Sequence, residues 1–339
     1  MIRIFCTQKL ASILKDLPEV SMDEVIPTDK WIAGLTVLEG QFALVLMCLD
    51  SRFGFLIWGL REAQLLQGEE LFEALIRKML EYYGILREIT EDLLSRPPML
   101  CTGMGKKEQA VLSHVIMEVS QMEISSEKLP ALIPLERASS RSLISAMDKP
   151  SAVERLVKQL QERYAMPPIC RSAFRLTATL DLKICRVTRT LLVPDEYTFA
   201  DLSLALCAAF AWEPEHDHAF EVEGIHIGNG QGRESPATAL TAFLSEGTMF
   251  SYLYGSSWHL SLLTEKVISD YDRPFARCVC LDGFVPPESC GGPEQYVKMV
   301  EAASDPEHPD HEKAKKAFGY IELLRNDSRL IDQKMKSWR

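Results

Sequence analysis

The sequence lacks the features that would place it in a membrane or in an oxidising compartment. Its longest apolar run, residues 53–60, is far shorter than the roughly 20 residues that a membrane-spanning helix needs. The opening MIRIFCTQKL has no apolar signal-peptide core followed by a cleavage site. The nine cysteines are scattered and odd in number, as is usual in a reducing cytosol. We therefore predict a cytoplasmic protein that does not bind a membrane.

The chain also lacks an excess of basic residues. Its 37 Lys and Arg residues stand against 48 Asp and Glu residues, which gives a net charge of −11. Nucleic-acid binding draws much of its affinity from cations that replace the counterions of the phosphates. The composition therefore disfavours nucleic acid as a partner, and a protein or a small molecule is the expected ligand.

The chain does have enough apolar residues for two hydrophobic cores. It contains 339 residues, of which 47% are hydrophobic, and this length is typical of two domains. A charged amphipathic helix over residues 153–160 is stopped by Pro167 and Pro168, since proline cannot continue a helix. We predict one domain over residues 1–150, a helical linker over 151–168 and a second domain over 169–339.

The pattern of the first domain predicts an α+β fold, an antiparallel sheet packed with helices. Three strand-like runs, residues 31–38, 42–49 and 53–60, are separated by connections short enough for hairpins. Apolar residues then recur at one-, three- and four-residue steps over 71–83 and again over 111–119, and this spacing predicts two helices.

The second domain is also predicted to be α+β. Residues 174–182 alternate between apolar and polar, residues 187–193 form a return strand, and Thr198 begins a helix. Two strands, a helix and then further strands is the order of a β-grasp (ubiquitin-like) sheet. Additional C-terminal helices are predicted to begin near Pro293 and Pro309.

A run in the second domain carries a known signature. The motif F-x-W-x-x-x-H-x-H-x-F is formed by Phe210, Trp212, His216, His218 and Phe220. It is followed by the aromatic hairpin FSYLYGSSWHLSL and the turn VPPESCGGPEQY. Residues of about 168–320 therefore resemble the plasmid pRiA4b ORF-3-like family. The resemblance implies a small α+β domain of bacteria and mobile elements, and it implies no particular chemistry.

The sequence departs from this family in its polar residues. The family hairpin usually carries carboxylates and a histidine, but the corresponding residues here are Leu253, Ser256, Ser257 and Leu260. The aspartate that follows Pro-Pro-Glu in relatives is Ser289. If those polar groups form a metal or acid–base site in relatives, this chain has lost much of it.

The first domain is similar to an uncharacterised prokaryotic domain of unknown function. The similarity is carried by the opening I-x-C-T-x-K-L at residues 4–10, by Trp31 and by the run at residues 141–147. It implies an α+β fold and nothing about chemistry.

Two histidines are candidate metal ligands. His216 and His218 lie two residues apart at the start of a predicted strand, so their side chains point the same way. Zinc would suit such donors. Cys280, Cys290 or His259 of the same domain could complete the shell. A structural role, in which the histidines bond a turn, is the favoured alternative, and a site for a non-metal ligand is the third.

We interpret the protein as a non-catalytic binding or interaction module with an aromatic-lined concavity. The residues expected to bind are Trp212, His216, His218, Tyr252, Trp258 and Glu288. The alternative is a metal-dependent hydrolase or nuclease-like enzyme, in which His216 and His218 hold the metal and Glu221 or Glu288 is the general base. No cofactor is expected under the first interpretation, and zinc is expected under the second.

Overall fold

The computed structural model describes residues 1–120, 131–135, 150–228, 233–234, 238–319 and 327–338. The chain divides into two compact units, Met1–Cys170 and Arg171–Arg339, and each has its own sheet and its own hydrophobic core. The predicted two-domain α+β fold is confirmed. Over the described ranges, no helix is both long and apolar enough to cross a membrane. The sequence run at residues 141–147 lies outside the described residues.

The first unit consists of a sheet and the helices that pack on it. Its strands are Arg3–Cys6 (β1), Lys30–Leu38 (β2), Gln41–Cys48 (β3), Gly54–Leu60 (β4), Met99–Cys101 (β5) and Ala131–Pro134 (β6). Its helices are Gln8–Leu14 (α1), Glu62–Leu65 (α2), Glu69–Tyr82 (α3), Arg87–Leu93 (α4), Lys106–Val119 (α5) and Ala152–Tyr164 (α6).

The sheet of the first unit is mixed, which corrects the prediction of an antiparallel sheet. Its strand order is β5-β1-β2-β3-β4-β6. Strands β2, β3 and β4 form the predicted antiparallel hairpins, but β1 pairs in parallel with both β2 and β5. Helix α1 lies between β1 and β2 and returns the chain to the same end of the sheet, which is what a parallel pair requires.

Helix α6 lies within the first unit, Met1–Cys170, although the sequence predicted a helical linker over residues 151–168. Its N-terminus has a capping box, because the Ser151 hydroxyl accepts the Glu154 N–H while the Glu154 carboxylate accepts the Ser151 N–H. Leu160 is fully buried, and the Arg163 guanidinium pairs with the buried carboxylate of Asp29. These contacts attach the helix to the unit that precedes it.

The second unit contains the longer strands. They are Arg171–Asp181 (β7), Arg186–Pro194 (β8), His218–Val222 (β9), Ile225–Gly228 (β10), Arg233–Glu234 (β11), Met249–Tyr254 (β12), Trp258–Tyr271 (β13) and Arg277–Asp282 (β14). The helices are Phe199–Ala209 (α7), Pro293–Ser304 (α8), His311–Gly319 (α9) and Ser328–Trp338 (α10).

The strand order of the second unit is β11-β10-β9-β12-β13-β7-β8-β14. Neighbouring strands are antiparallel except for the short parallel pair of β10 and β11. Two strands, a helix and further strands occur in the predicted order, while the finer β-grasp assignment is not confirmed. Helix α7 is capped by Thr198 and Asp201 as predicted, and it packs into the core with one face of the sheet.

Candidate functional site

The predicted binding residues come together where three segments of the second unit meet. These are the connection between α7 and β9, the end of β12, and the 3-10 turn Glu288–Cys290. The turn reaches the other two segments through Glu288, which bonds the main chain of Glu213 and the side chain of Tyr254.

Trp212 lies at the centre of an aromatic stack. Its ring is parallel to that of Tyr254, at 4.8 Å between centroids and 4° between planes. Phe210 stacks on it at 5.1 Å, and Trp258 is 5.7 Å away. The four side chains are at most 4% exposed. The stack is therefore part of the hydrophobic core.

This burial corrects the prediction of an open aromatic concavity. Trp212, Tyr252 and Trp258 were expected to bind a ligand, but all three are buried. Tyr252 is bonded inside the core, with its hydroxyl 2.7 Å from that of Ser203. Buried and exposed residues alternate along β12 and at the start of β13, and the rings of Tyr252 and Trp258 lie in the same core cluster as the buried residues of α7. These rings pack in the core next to the polar residues of the site, and a ligand at the surface cannot contact them.

Glu288 holds the polar part of the site together. Its Oε1 accepts the Tyr254 hydroxyl at 2.6 Å, and its Oε2 accepts the Glu213 N–H at 3.0 Å. The Nε2 atom of His216 lies 3.3 Å from Oε1. We call Glu288 with these three partners the Glu288 clamp. Burial and the bond to Glu288 together raise the pKa of Tyr254 well above its usual range, so this phenol stays protonated and continues to donate.

The two histidines have different surroundings. The side chain of His216 is 63% exposed and lies edge-on to Tyr254. His218 is half-buried between Phe220 and Tyr252, with ring centroids 6.1 Å from each. Burial lowers the pKa of His218, and the nearby Asp217 partly opposes this shift. His218 therefore favours the neutral imidazole, while His216 is the group that a ligand can reach.

The predicted metal shell does not assemble around this pair. In the parts of the chain that the structure describes, no three His, Cys, Asp or Glu side chains are grouped to hold a metal ion. Cys280 is on the edge strand β14, and the Cys290 sulfur lies 3.9 Å from the Gly292 carbonyl oxygen. His259 is exposed on β13. These three residues do not complete a shell around His216 and His218.

The buried thiols of this unit are not activated nucleophiles. Burial raises the pKa of Cys207 to about 12 and that of Cys278 to about 12. Since the thiolate is the reactive form of cysteine, such thiols are inert at neutral pH.

Arg189 positions the connection that carries Trp212 and His216, and sequence reasoning missed it. Its side chain is fully buried. Its Nε donates to the carbonyl of Ala209, the last residue of α7, and its Nη1 donates to the carbonyls of Asp282 and Gly283. The guanidinium also lies over the ring of Phe210 at 5.7 Å. One cation thus joins the end of α7 to the segment that leads to Glu288.

The comparisons with known proteins agree with both sequence resemblances. Residues 172–331 match the family described as plasmid pRiA4b ORF-3-like protein, and residues 3–148 match a domain of unknown function, DUF6933. No curated protein matches the chain. The crystal structure of a protein of unknown function, MM3350 from Methanosarcina mazei Go1, is 25% identical to it. That match covers 42% of this chain and 87% of the other, with a TM-score of 0.39.

Proposed function

We propose that the protein is a non-catalytic binding module whose partner is a protein or a small molecule. The proposal rests on the bonding of Glu288, the residue expected as the general base of an enzyme. Its Oε1 accepts the Tyr254 hydroxyl and lies 3.3 Å from Nε2 of His216, and its Oε2 accepts the Glu213 N–H. Three groups of the protein thus hold the carboxylate in place, which supports a structural role. Glu288 therefore acts as a structural clamp.

The charge and the cysteines support the remaining parts of the proposal. A net charge of −11 repels phosphate backbones, so nucleic acid is the less favourable partner. Cys170, Cys185 and Cys280 are exposed and form no disulfide, which suits the reducing cytoplasm. The proposed link to mobile elements rests on the family resemblance alone.

The Glu288→Ala variant tests the clamp. Alanine offers no acceptor to the Glu213 N–H, whereas the Tyr254 hydroxyl can still donate to the Glu213 carbonyl. We expect the free energy of unfolding to fall by about 1–2 kcal/mol, measured by urea denaturation. Glu215→Ala is the matched control, because Glu215 is exposed in the same connection, and it should change the stability by less than about 0.5 kcal/mol. Equal stability of the two variants would contradict the clamp.

One observation favours the alternative, a metal-dependent hydrolase or nuclease-like enzyme. A carboxylate beside an imidazole, as in the Glu288–His216 pair, is the arrangement that orients many metal-binding histidines. Under this hypothesis His216 and His218 would hold zinc.

Elemental analysis of the untagged protein separates the two functions. We expect much less than one transition metal per chain, with the same low content in the His216→Ala and His218→Ala variants. One zinc per chain in the native protein, lost in both folded variants, would overturn the binding proposal and support the enzyme.

A further inference from the structure

One face of the sheet in the second unit packs with α7 in the core, and the other face, which we call the outer face, carries exposed side chains. Side chains alternate between the two faces along a strand. On β12, Phe250 and Tyr252 lie in the core cluster, whereas Met249 and Ser251 are exposed. Residues directly opposite each other on antiparallel strands share a face, so the strand register shows which residues form the outer face.

A row of small hydroxyl side chains crosses the middle of the outer face. The register sets four of them side by side on β12, β13, β7 and β8, namely Ser251, Ser261, Thr179 and Thr188. Glu221 on β9 extends the row beside Ser251. Since the four hydroxyl side chains are small, a second surface can approach the backbone of the sheet closely along this row.

Two exposed apolar side chains lie next to this row. Met249 on β12 and Leu263 on β13 are directly opposite each other, and they are 74% and 37% exposed. Single apolar residues are common at protein surfaces, but a cross-strand pair presents its apolar area in one place. Burial of apolar area is the main favourable contribution to most protein association. This pair is therefore the part of the outer face that gains most from being covered.

Charged groups on either side of the row are paired within the chain. Nε of Arg175 lies 2.6 Å from Oε2 of Glu265, and Nε of Arg186 lies 3.5 Å from Oδ2 of Asp181. Two copies of a chain with a net charge of −11 repel each other where uncompensated charges meet. The repulsion is weakest where the charges are already compensated, so the outer face is a favourable surface for a second copy of this chain.

The outer face is also large enough for a stable dimer. The strands β8, β7, β13, β12, β9 and β10, adjacent in this order, contain 9, 11, 14, 6, 5 and 4 residues. At about 3.3 Å per residue and about 4.8 Å between strands, they cover roughly 750 Å². A stable interface buries about 800 Å² of each partner, so the outer face matches what a dimer needs.

We propose that the protein forms a symmetric homodimer through this outer face, with the two-fold axis between β12 and β13 and parallel to both strands. The axis places Met249 of each copy on Leu263 of the other, which makes one apolar cluster of four side chains. It also places Glu221 opposite the partner's Thr179, whose hydroxyl donates to the carboxylate. Each contact occurs twice, as in every isologous interface. The inference goes beyond the proposed binding function and does not rest on it.

Light scattering of the full chain over a concentration series measures the dimer. We expect a mass twice that of the single chain. Met249→Lys or Leu263→Glu alone places an uncompensated charge against an apolar side chain of the other copy, so each variant should weaken the dimer at least tenfold. Both positions are exposed in the single chain, so the variants should fold. Leu66→Lys is the matched control, because Leu66 is 59% exposed in the first unit, and its dimer should be unchanged.

An equimolar mixture of the two charged variants tests the axis. In the mixed dimer the new lysine of one chain faces the new glutamate of the other, and the second copy of the contact keeps the native Leu263 and Met249. We expect the mixed dimer to be at least tenfold tighter than either variant alone. A wild-type chain that stays monomeric over the whole series would overturn the proposal, and so would a dimer that both variants leave intact. A mixture that stays monomeric would refute the axis between β12 and β13.

Discussion

Replacing Arg189 with Met is expected to lower the free energy of unfolding of the second unit by about 3 kcal/mol, since buried acceptors that lose a donor cost about 1–3 kcal/mol each. The guanidinium donates to the carbonyls of Ala209, Asp282 and Gly283. Met fills much of the space but donates no hydrogen bond. Burial of the guanidinium carries a desolvation cost, which also lowers the pKa of Arg189. Met does not carry this cost, so the loss of stability is smaller than the sum for three lost hydrogen bonds.

Arg186→Met is the matched control, three residues earlier on the same strand. The side chain of Arg186 is 74% exposed and lies 3.5 Å from Asp181, and exposed pairs contribute only about 0–1 kcal/mol. Urea denaturation would measure the free energy of unfolding of both variants. Hydrogen exchange of the amides in α7 would then show whether the effect reaches this helix. Similar losses for Arg186→Met and Arg189→Met would show that the buried hydrogen bonds are not the cause.

In the first unit, the Gly103→Ala substitution is expected to have the largest effect, a loss of stability of about 3 kcal/mol or more. It adds a backbone clash to a conformational strain that costs about 1–3 kcal/mol by itself. Gly103 has φ of +110°, which L side chains rarely adopt. A Cβ atom here would lie 2.2 Å from the Val20 carbonyl oxygen. The neighbouring bond from the Val20 N–H to the Thr102 carbonyl would have to break to relieve the contact.

Gly40→Ala separates the conformational strain from the clash. Gly40 has φ of +77°, but nothing lies within 4 Å of an added Cβ, so only the left-handed conformation is penalised, by about 1–2 kcal/mol. Thermal unfolding of the two variants should therefore give a clearly lower Tm for Gly103→Ala. A Tm for Gly40→Ala as low as that of Gly103→Ala would contradict the clash.

Local patterns in the sequence predict the strands and helices that depend on near neighbours. The runs at 31–38, 42–49 and 53–60 become β2, β3 and β4 with shifts of one residue at most. The cap at Thr198 correctly marks the start of α7. In each case the alternation of apolar residues, a short turn or a capping side chain lies within a few residues of the element that it determines.

Features that depend on distant residues are not predicted. The parallel pairing of β1 needs β5, almost 100 residues later. The bonding of Glu288 depends on Tyr254, 34 residues earlier. The sequence alone therefore does not distinguish a clamp from a general base at this position. For Arg189 a local signal does exist. It occupies an inward position between Val187 and Leu191 on β8, and a charged residue in such a place needs buried partners.

The irregular shape of strand β14 has a consequence for solubility. The unpaired edge of a sheet can accept a strand from another molecule, and this is a common start of aggregation. In β14 the register shifts between Cys278 and Cys280, which interrupts the regular row of hydrogen-bonding groups. Beside this bulge, Asp332 covers the Cys278 N–H. Loss of α10 would leave this N–H without its acceptor and open the edge of β14 to the sheet of a second molecule.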